Sequence, residues 1–375
     1  MELLLPIFVI IIASFFQGTF GLGMKYVKPL AWEAWWIVHA TVAMVIFPLI
    51  WCLLVVPDLW QVLRAAPTNE LIAGSLLGFL WGIGGIMFGI SVGYVGMSLT
   101  YGIVMGSCSI AAALISLVQR FGTTNPASLP FIFSGLALLA FAVVLVTVAG
   151  LKRDKMLAGA GGEIEGIKKG KAFRMGLVIA TVCGLLSSML AVGFDNTEEI
   201  GEIAKRAIAN RVYEAEGIAV GNTDSDVVIP EAIVKKAAGL GRNSALARWV
   251  VVLAGAYLMN AGYALILLIK NKSIGSFKTP GMFKALKWSI IAGLLWFAAL
   301  GTYGQGVALM GEMGTMICWP MMLGLSLIVS NGFAVATGEW KGMGGPLKIM
   351  SLGVLIIIVA TVLMAYASTM KAAAS

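Results

Sequence analysis

The sequence predicts an all-α polytopic membrane protein with ten transmembrane helices, and three observations predict it. Of 375 residues, 59% are hydrophobic and only 12% are charged, with a mean hydropathy of +0.95, whereas soluble domains carry about 25% charged residues. The apolar residues gather into windows of about 20, the length that crosses a hydrocarbon core. None of the windows has the short alternating pattern of a barrel strand, and lipid cannot satisfy an open backbone, so helices fill them.

The windows fall near residues 4–24, 34–56, 70–90, 96–118, 130–150, 174–194, 249–269, 288–308, 313–336 and 349–368. The first, "MELLLPIFVIIIASFFQGTFGLGM", lacks a basic leader and is long enough to span, so it reads as a transmembrane helix and not as a cleaved signal. The second opens on "AWEAWWIVHA", which crowds Trp32, Glu33, Trp35, Trp36 and the single histidine, His39, into the front of a greasy run. Two stretches break the apolar pattern. Residues 151–173 are glycine-rich and basic, as expected of a flexible cytoplasmic linker. Residues 196–246 are polar but patterned. Asn196 followed by Glu199 is an N-cap signature, and Ile200, Ile203, Ala204, Ala207 and Ile208 recur at helical spacing, so a small helical cap or an inert connector is expected there.

Charge sets the orientation. With 151–173 cytoplasmic, that side holds 16 of the 26 Lys and Arg, while the short connections of the other side hold three and residues 196–248 hold seven. The positive-inside rule weights short loops, so both termini are expected on the outer side. The formal charge of +8 follows from this topology and does not call for nucleic acid. Cys52, Cys108, Cys183 and Cys318 lie in separate apolar runs with no C-x-x-C and no clustered His, so no disulfide framework, metal or other cofactor is expected.

The chain also looks duplicated. At a constant offset of 215, Gly78, Trp81, Gly89, Gly96 and Thr100 of the third and fourth windows match Gly293, Trp296, Gly304, Gly311 and Thr315 of the eighth and ninth. At offset 218, Gly135, Ala142, Val144 and Leu145 match Gly353, Ala360, Val362 and Leu363. Five spans per copy is an odd number, so the second copy enters the bilayer from the opposite side. The expected organisation is a first repeat at 1–150, the linker at 151–173, and a second repeat at 174–375 carrying the 196–246 insertion. A 5+5 inverted repeat points to a secondary transporter with its substrate site near the midplane between the halves. Nothing resembles a P-loop.

No charged residue lies in the middle of a span, where it would cost about 2.5 to 3.5 kcal/mol. That argues against a permanently charged substrate and against a dense proton relay. Glu33 and Glu312 open the second and ninth spans, and Asp195 and Glu339 close the sixth and ninth. At 100° per residue Trp32, Trp36 and His39 share a face, with Glu33 within a turn. Their plain role is an interfacial aromatic belt with a snorkelled acid; their functional role is proton exchange or hydrogen bonding by an imidazole that titrates near neutral pH. Gln17, Trp81, Tyr101, Asn260, Trp296, Tyr303, Gln305 and Trp319 are each accounted for as helix contacts. Together with Trp36 and His39 they suit a sugar, since aromatic faces cover C–H surface while amides and hydroxyls satisfy a ring of hydroxyls. His39, Glu312 and Glu33 are the candidates for the coupling proton.

"KYVKPLAWEAWW" from Lys25, "WGIGGIMFGISVGYVGMS" from Trp81, the pair Glu339–Trp340 and "SLGVLIIIVA" from Ser351 occur in order along the chain. In these pieces the chain resembles the L-rhamnose–proton symporter family of the drug/metabolite transporter superfamily. The resemblance implies the drug/metabolite transporter fold and a proton-driven importer of L-rhamnose or a similar deoxyhexose. It also implies residence in a bacterial inner membrane and work as a single polypeptide. A monomer in the lipid bilayer is expected, and the sequence leaves Na⁺ open as the alternative coupling ion. The rival transport function is an exporter or exchanger of another small metabolite. The rival from another class is a membrane-embedded enzyme or assembly factor working through the 196–246 cap; no H-E-x-x-H motif or Ser-His-Asp set supports it.

Overall fold

The computed structural model describes residues 4–159, 168–218 and 229–370, without the side chains of residues 158 and 312. The described residues are helical or irregular, with no strand among them. Ten of their helices are long and apolar enough to cross a membrane. They are numbered here span 1 (Leu4–Tyr26), span 2 (Trp32–Val55), span 3 (Thr68–Val95), span 4 (Met97–Gln119), span 5 (Leu129–Ala158), span 6 (Gly170–Asp195), span 7 (Ala245–Lys270), span 8 (Met282–Met310), span 9 (Gly314–Ala336) and span 10 (Gly344–Ala367). The chain is a multi-pass membrane protein.

Three local features differ from the sequence expectation. Residues 151–158, expected in the linker, continue span 5 as helix. The run "LKRDKMLA" is made mainly of good helix formers, and the helix stops only at Gly159, whose φ of +80° suits a residue without Cβ. Residues 160–167 of the expected linker lie outside the described residues. In the insertion, Asn196 is not an N-cap: its amide donates to Val192 O and closes span 6. The N-terminus of the cap helix Glu198–Ala215 is satisfied by Glu70 of span 3, whose carboxylate accepts from the backbone N–H groups of Glu199 and Ile200 at 3.2 and 3.1 Å. That helix buries Ile200, Ala204 and Ile208 in one core with Leu59, Val62 and Ala66 of the short helix at Leu59–Ala65 and its end. A second cap helix, Glu231–Gly241, packs on the first.

Glycine decides how closely the spans approach, because lipid-embedded helices associate by packing and not by expelling water. A Cβ at Gly78 of span 3 would overlap the Val252 carbonyl of span 7, and one at Gly293 of span 8 would lie 3.0 Å from the His39 carbonyl of span 2. Spans 5 and 10 cross reciprocally: Gly135 abuts Ala360 O and Met364, and Gly353 abuts Ala142 O and Val146. Early residues of each helix meet later residues of the other, so these two spans run antiparallel. Gly96 and Gly311, each with positive φ (80° and 73°), make the tight joints between spans 3 and 4 and between spans 8 and 9. Span 3 packs on spans 6 and 7, and span 8 on spans 1 and 2; span 4 packs on span 6, and span 9 on span 1; spans 2 and 7, 4 and 9, and 5 and 10 also meet. The bundle thus has a cap end, carrying the insertion, and an opposite, basic end, where spans 1, 3, 5, 7 and 9 finish.

Candidate functional site

Trp81 and Trp296 stand at the middle of spans 3 and 8 and face each other, ring centroids 5.4 Å apart at 33°. Trp296 also meets the ring of His39 edge-on at 6.4 Å. His39 is enclosed: Trp35 stacks on it at 5.4 Å and 9°, Trp36 is tilted at 5.0 Å, and Phe20 of span 1 lies at 6.3 Å. Trp36 in turn donates through Nε1 to Asn260 Oδ1 of span 7 at 3.1 Å, while the Asn260 amide donates to Ala256 O. Five sequence candidates, Trp36, His39, Trp81, Asn260 and Trp296, therefore form one connected cluster contributed by spans 2, 3, 7 and 8.

Local sequence explains how this cluster is held. In span 2, Pro48 has no N–H and its ring crowds the carbonyl four residues back. The ladder passes from α to π at Val42–Ile46, with Phe47 N–H donating to Val42 O. This π turn begins three residues after His39 and widens the helix where it faces spans 7 and 8. Aromatic contacts of this kind contribute about 0.5 to 1.5 kcal/mol each, and an interhelical hydrogen bond in lipid about 0.6 kcal/mol. Several together are needed to hold the geometry.

Chemically the cluster is neutral and presents aromatic faces, an amide and an imidazole. His39 is 1% exposed, and its Nδ1 has no partner among the described residues. A neutral imidazole that donates through one nitrogen keeps the other as an acceptor, for a ligand hydroxyl or for a proton.

The other candidates lie elsewhere. Tyr303 and Trp319 meet edge-on at 5.2 Å, nearer the cap end, with Trp249 and Phe194 around them. Tyr303 Oη, Trp319 Nε1, Trp249 Nε1 and Thr315 Oγ1 are all buried without a hydrogen-bond partner among the described residues. Tyr101 meets Phe88 edge-on at 6.3 Å and lines a cavity of about 210 Å³ near the basic end. Gln17 on span 1 has a buried, unpartnered Oε1, and Gln305 on span 8 is partly buried. Glu33 is buried at the basic end of span 2, accepting from Asn271 Nδ2 at 3.0 Å and Ser273 Oγ at 2.5 Å. The side chain of Glu312 lies outside the described residues.

Two charged clusters escaped the sequence reading as clusters, although Asp195 and Glu339 stood out singly. At the cap end Arg120 bridges Asp195 at 3.0 Å and Glu198 at 2.8 Å. At the basic end Lys25 meets Glu339 at 2.6 Å, and Arg153 meets Glu339 at 3.7 Å and Asp154 at 3.1 Å. The signal available was an acid closing each span. Its partners, 75 and 314 residues away, carried none.

Comparison with known proteins bears on this arrangement. The family model described as L-rhamnose-proton symport protein (RhaT) matches residues 2–222. An L-rhamnose-proton symporter of Cronobacter sakazakii is 26% identical over 352 residues, covering 92% of this chain and 91% of its own. One of Yersinia pestis is 25% identical over 353 residues, covering 92% of each. The family is one of transporters and not of enzymes, and a neutral cluster of tryptophans, imidazole and amide at mid-height, between helices of an all-helical membrane protein, is in keeping with that. The chain belongs to the L-rhamnose-proton symport protein family.

Proposed function

We propose that this protein imports L-rhamnose or a similar neutral deoxyhexose together with a proton, by alternating access between two inverted five-span halves. The observation that carries the proposal is the meeting of Trp81 and Trp296 at mid-height. These two are counterparts in the duplicated sequence, and a residue that touches its own counterpart lies on the axis relating the copies. The reciprocal glycine contacts of spans 5 and 10, and pairings that recur five spans along, support the same inverted architecture. The relatives' printed names supply the sugar and the proton.

In this reading the Trp81 and Trp296 faces cover the C–H surface of the pyranose, and Asn260 and Trp36 hydrogen-bond its hydroxyls. His39 exchanges the coupling proton through Nδ1. It is favoured over Glu33, whose carboxylate is occupied by Asn271 and Ser273, and Glu312 is the remaining alternative. In this reading the basic end, with its sixteen Lys and Arg, faces the cytoplasm of a bacterium, both termini lie outside the inner membrane, and one chain acts as the transporter.

The test is uptake of radiolabelled L-rhamnose into right-side-out vesicles, with and without a pH gradient, in H⁺ and in Na⁺ media. Accumulation that collapses with a protonophore is expected in the native protein. His39→Asn is expected to keep sugar counterflow and lose gradient-driven accumulation; Trp296→Ala is expected to lose both. Native protein that never accumulates rhamnose, or His39→Asn, Glu33→Gln and Glu312→Gln variants that all accumulate it fully, would overturn the proposal.

A further inference from the structure

The cavity at the basic end is separate from the mid-height cluster and has its own chemistry. It is bounded by the first half of span 4, the last half of span 5 and the last half of span 9 with Trp340 beyond it, and holds about 210 Å³. Its polar wall consists of Ser98, Thr147, Ser330 and Asn331, with the aromatic rings of Tyr101 and Trp340 beside it.

Donors and acceptors on this wall are unequal. Ser98 Oγ spends its hydrogen on Asp154 Oδ2 at 2.6 Å, Thr147 Oγ1 on Val143 O at 2.7 Å, and Ser330 Oγ on Leu327 O at 3.2 Å. Asn331 spends one amide hydrogen on Leu327 O at 2.8 Å. Each hydroxyl has one hydrogen and two lone pairs, so these four side chains leave an occupant a set of oxygen acceptors and one amide N–H, while Tyr101 and Arg153 on the same lining carry O–H and N–H donors. An occupant that both donates and accepts fits this lining, as a polyol does and an ammonium, which only donates, does not.

Charge points the same way. Arg153 also lines the cavity, lies 5.2 Å over the Trp340 ring, and is paired with Asp154 and Glu339. A cation would face this guanidinium, and an anion would face the ring of lone pairs. A neutral polyhydroxylated molecule avoids both penalties, and the apolar wall formed by Met97, Met105 and Val146 suits its C–H face.

We propose that this cavity is a second binding site for a neutral polyol, a station through which the transported sugar passes between the mid-height cluster and the basic end. Tyr101 marks the route: it lines the cavity and touches Phe88, which lies two turns from Trp81 on nearly the same face of span 3. The inference rests on the sugar reading above for the identity of the occupant, and on the cavity wall for its class.

Ala334→Cys provides the test. Ala334 lines the cavity, and the four native cysteines are buried, so a small maleimide applied to inside-out vesicles reports on this position. L-rhamnose is expected to slow labelling about tenfold at saturation. Adding Thr147→Val and Asn331→Leu, which keep shape and remove acceptors, is expected to abolish the slowing while leaving the sugar-free labelling rate unchanged. Adding Trp296→Ala instead is expected to leave protection in place. Labelling that is equal with and without L-rhamnose overturns the site, as does protection that survives Thr147→Val with Asn331→Leu or disappears with Trp296→Ala alone. Protection in a native protein that does not accumulate rhamnose would uphold the site and refute the transport function, so the two failures are distinguishable.

Discussion

The two ends of the bundle are closed by ion pairs at corresponding places in the pairing of spans, but the pairs differ in polarity and in burial. At the cap end a cation at the end of span 4, Arg120, meets an anion at the end of span 6, Asp195. At the basic end, five spans along, an anion after span 9, Glu339, meets a cation at the end of span 1, Lys25. Asp195 has a side chain 4% exposed and also accepts from Ser116 Oγ at 2.8 Å. Lys25 and Glu339 are 52% and 39% exposed. Beside the cap-end pair, Arg248 donates to Phe194 O and lies 3.8 Å over the Phe194 ring. Beside the basic-end pair lies the open cavity. A buried pair locks because removing one partner strands a charge, whereas an exposed pair is screened and easily exchanged for water. We therefore expect the cap end to be the rigid end of this conformation and the basic end to be the one that yields.

The largest expected effect breaks the cap end. Arg120→Ala leaves Asp195 buried with only a hydroxyl partner, and a loss of about 3 to 5 kcal/mol is expected, read as a lowered unfolding temperature in detergent. Asp195→Asn should cost less, because Arg120 keeps Glu198. Equal and small effects from both variants would erase the distinction between the two ends.

Next is Glu70→Ala. Losing a carboxylate that caps the Glu198–Ala215 helix is expected to cost about 0.5 to 2 kcal/mol and to speed amide exchange at Glu199 and Ile200 first. At the basic end, Lys25→Ala is expected to cost about 0.2 to 1 kcal/mol. Raising salt toward 1 M, where the screening length falls to about 3 Å, should bring the native protein toward this variant while leaving the Arg120 effect intact.

The smallest effect is on pH dependence. Lys25, donating to Glu339, holds that carboxyl below the ordinary carboxylate range, with Arg153 adding to the shift. A depressed carboxyl contributes stability above its unfolded value and loses it as pH falls through the folded value. The stability difference between native protein and Lys25→Ala should thus stay constant from about pH 8 to about pH 5 and shrink below about pH 4. A difference that shrank near neutral pH would assign the stabilisation to a group other than Glu339.

Much of the architecture is legible in the sequence. All ten windows are helices, and Gly78, Gly293, Gly135 and Gly353, matched by offset alone, are among the close crossings. Gly89 and Gly304 show the limit of such matching. A Cβ at Gly89 would meet nothing within 4 Å, whereas one at Gly304 would lie 2.9 Å from Trp249 Nε1. The Asn196 signature misled for a related reason. A capping side chain can serve the helix that ends as well as the one that begins, and the true cap came from Glu70, far away in sequence.

Local composition and the bilayer's demand for satisfied backbone together determine helix number, length and the unequal charge of the two ends, so the sequence by itself was enough for those. Tertiary structure alone decided that Trp36, His39, Trp81, Asn260 and Trp296 converge while Tyr101, Tyr303 and Trp319 stay apart from that cluster, and that Ser98, Thr147, Ser330 and Asn331 wall a cavity. The physical reason is that spans apolar on nearly every side carry little periodic signal for their rotation about their own axes. That rotation is set by glycine crossings and by partners hundreds of residues apart.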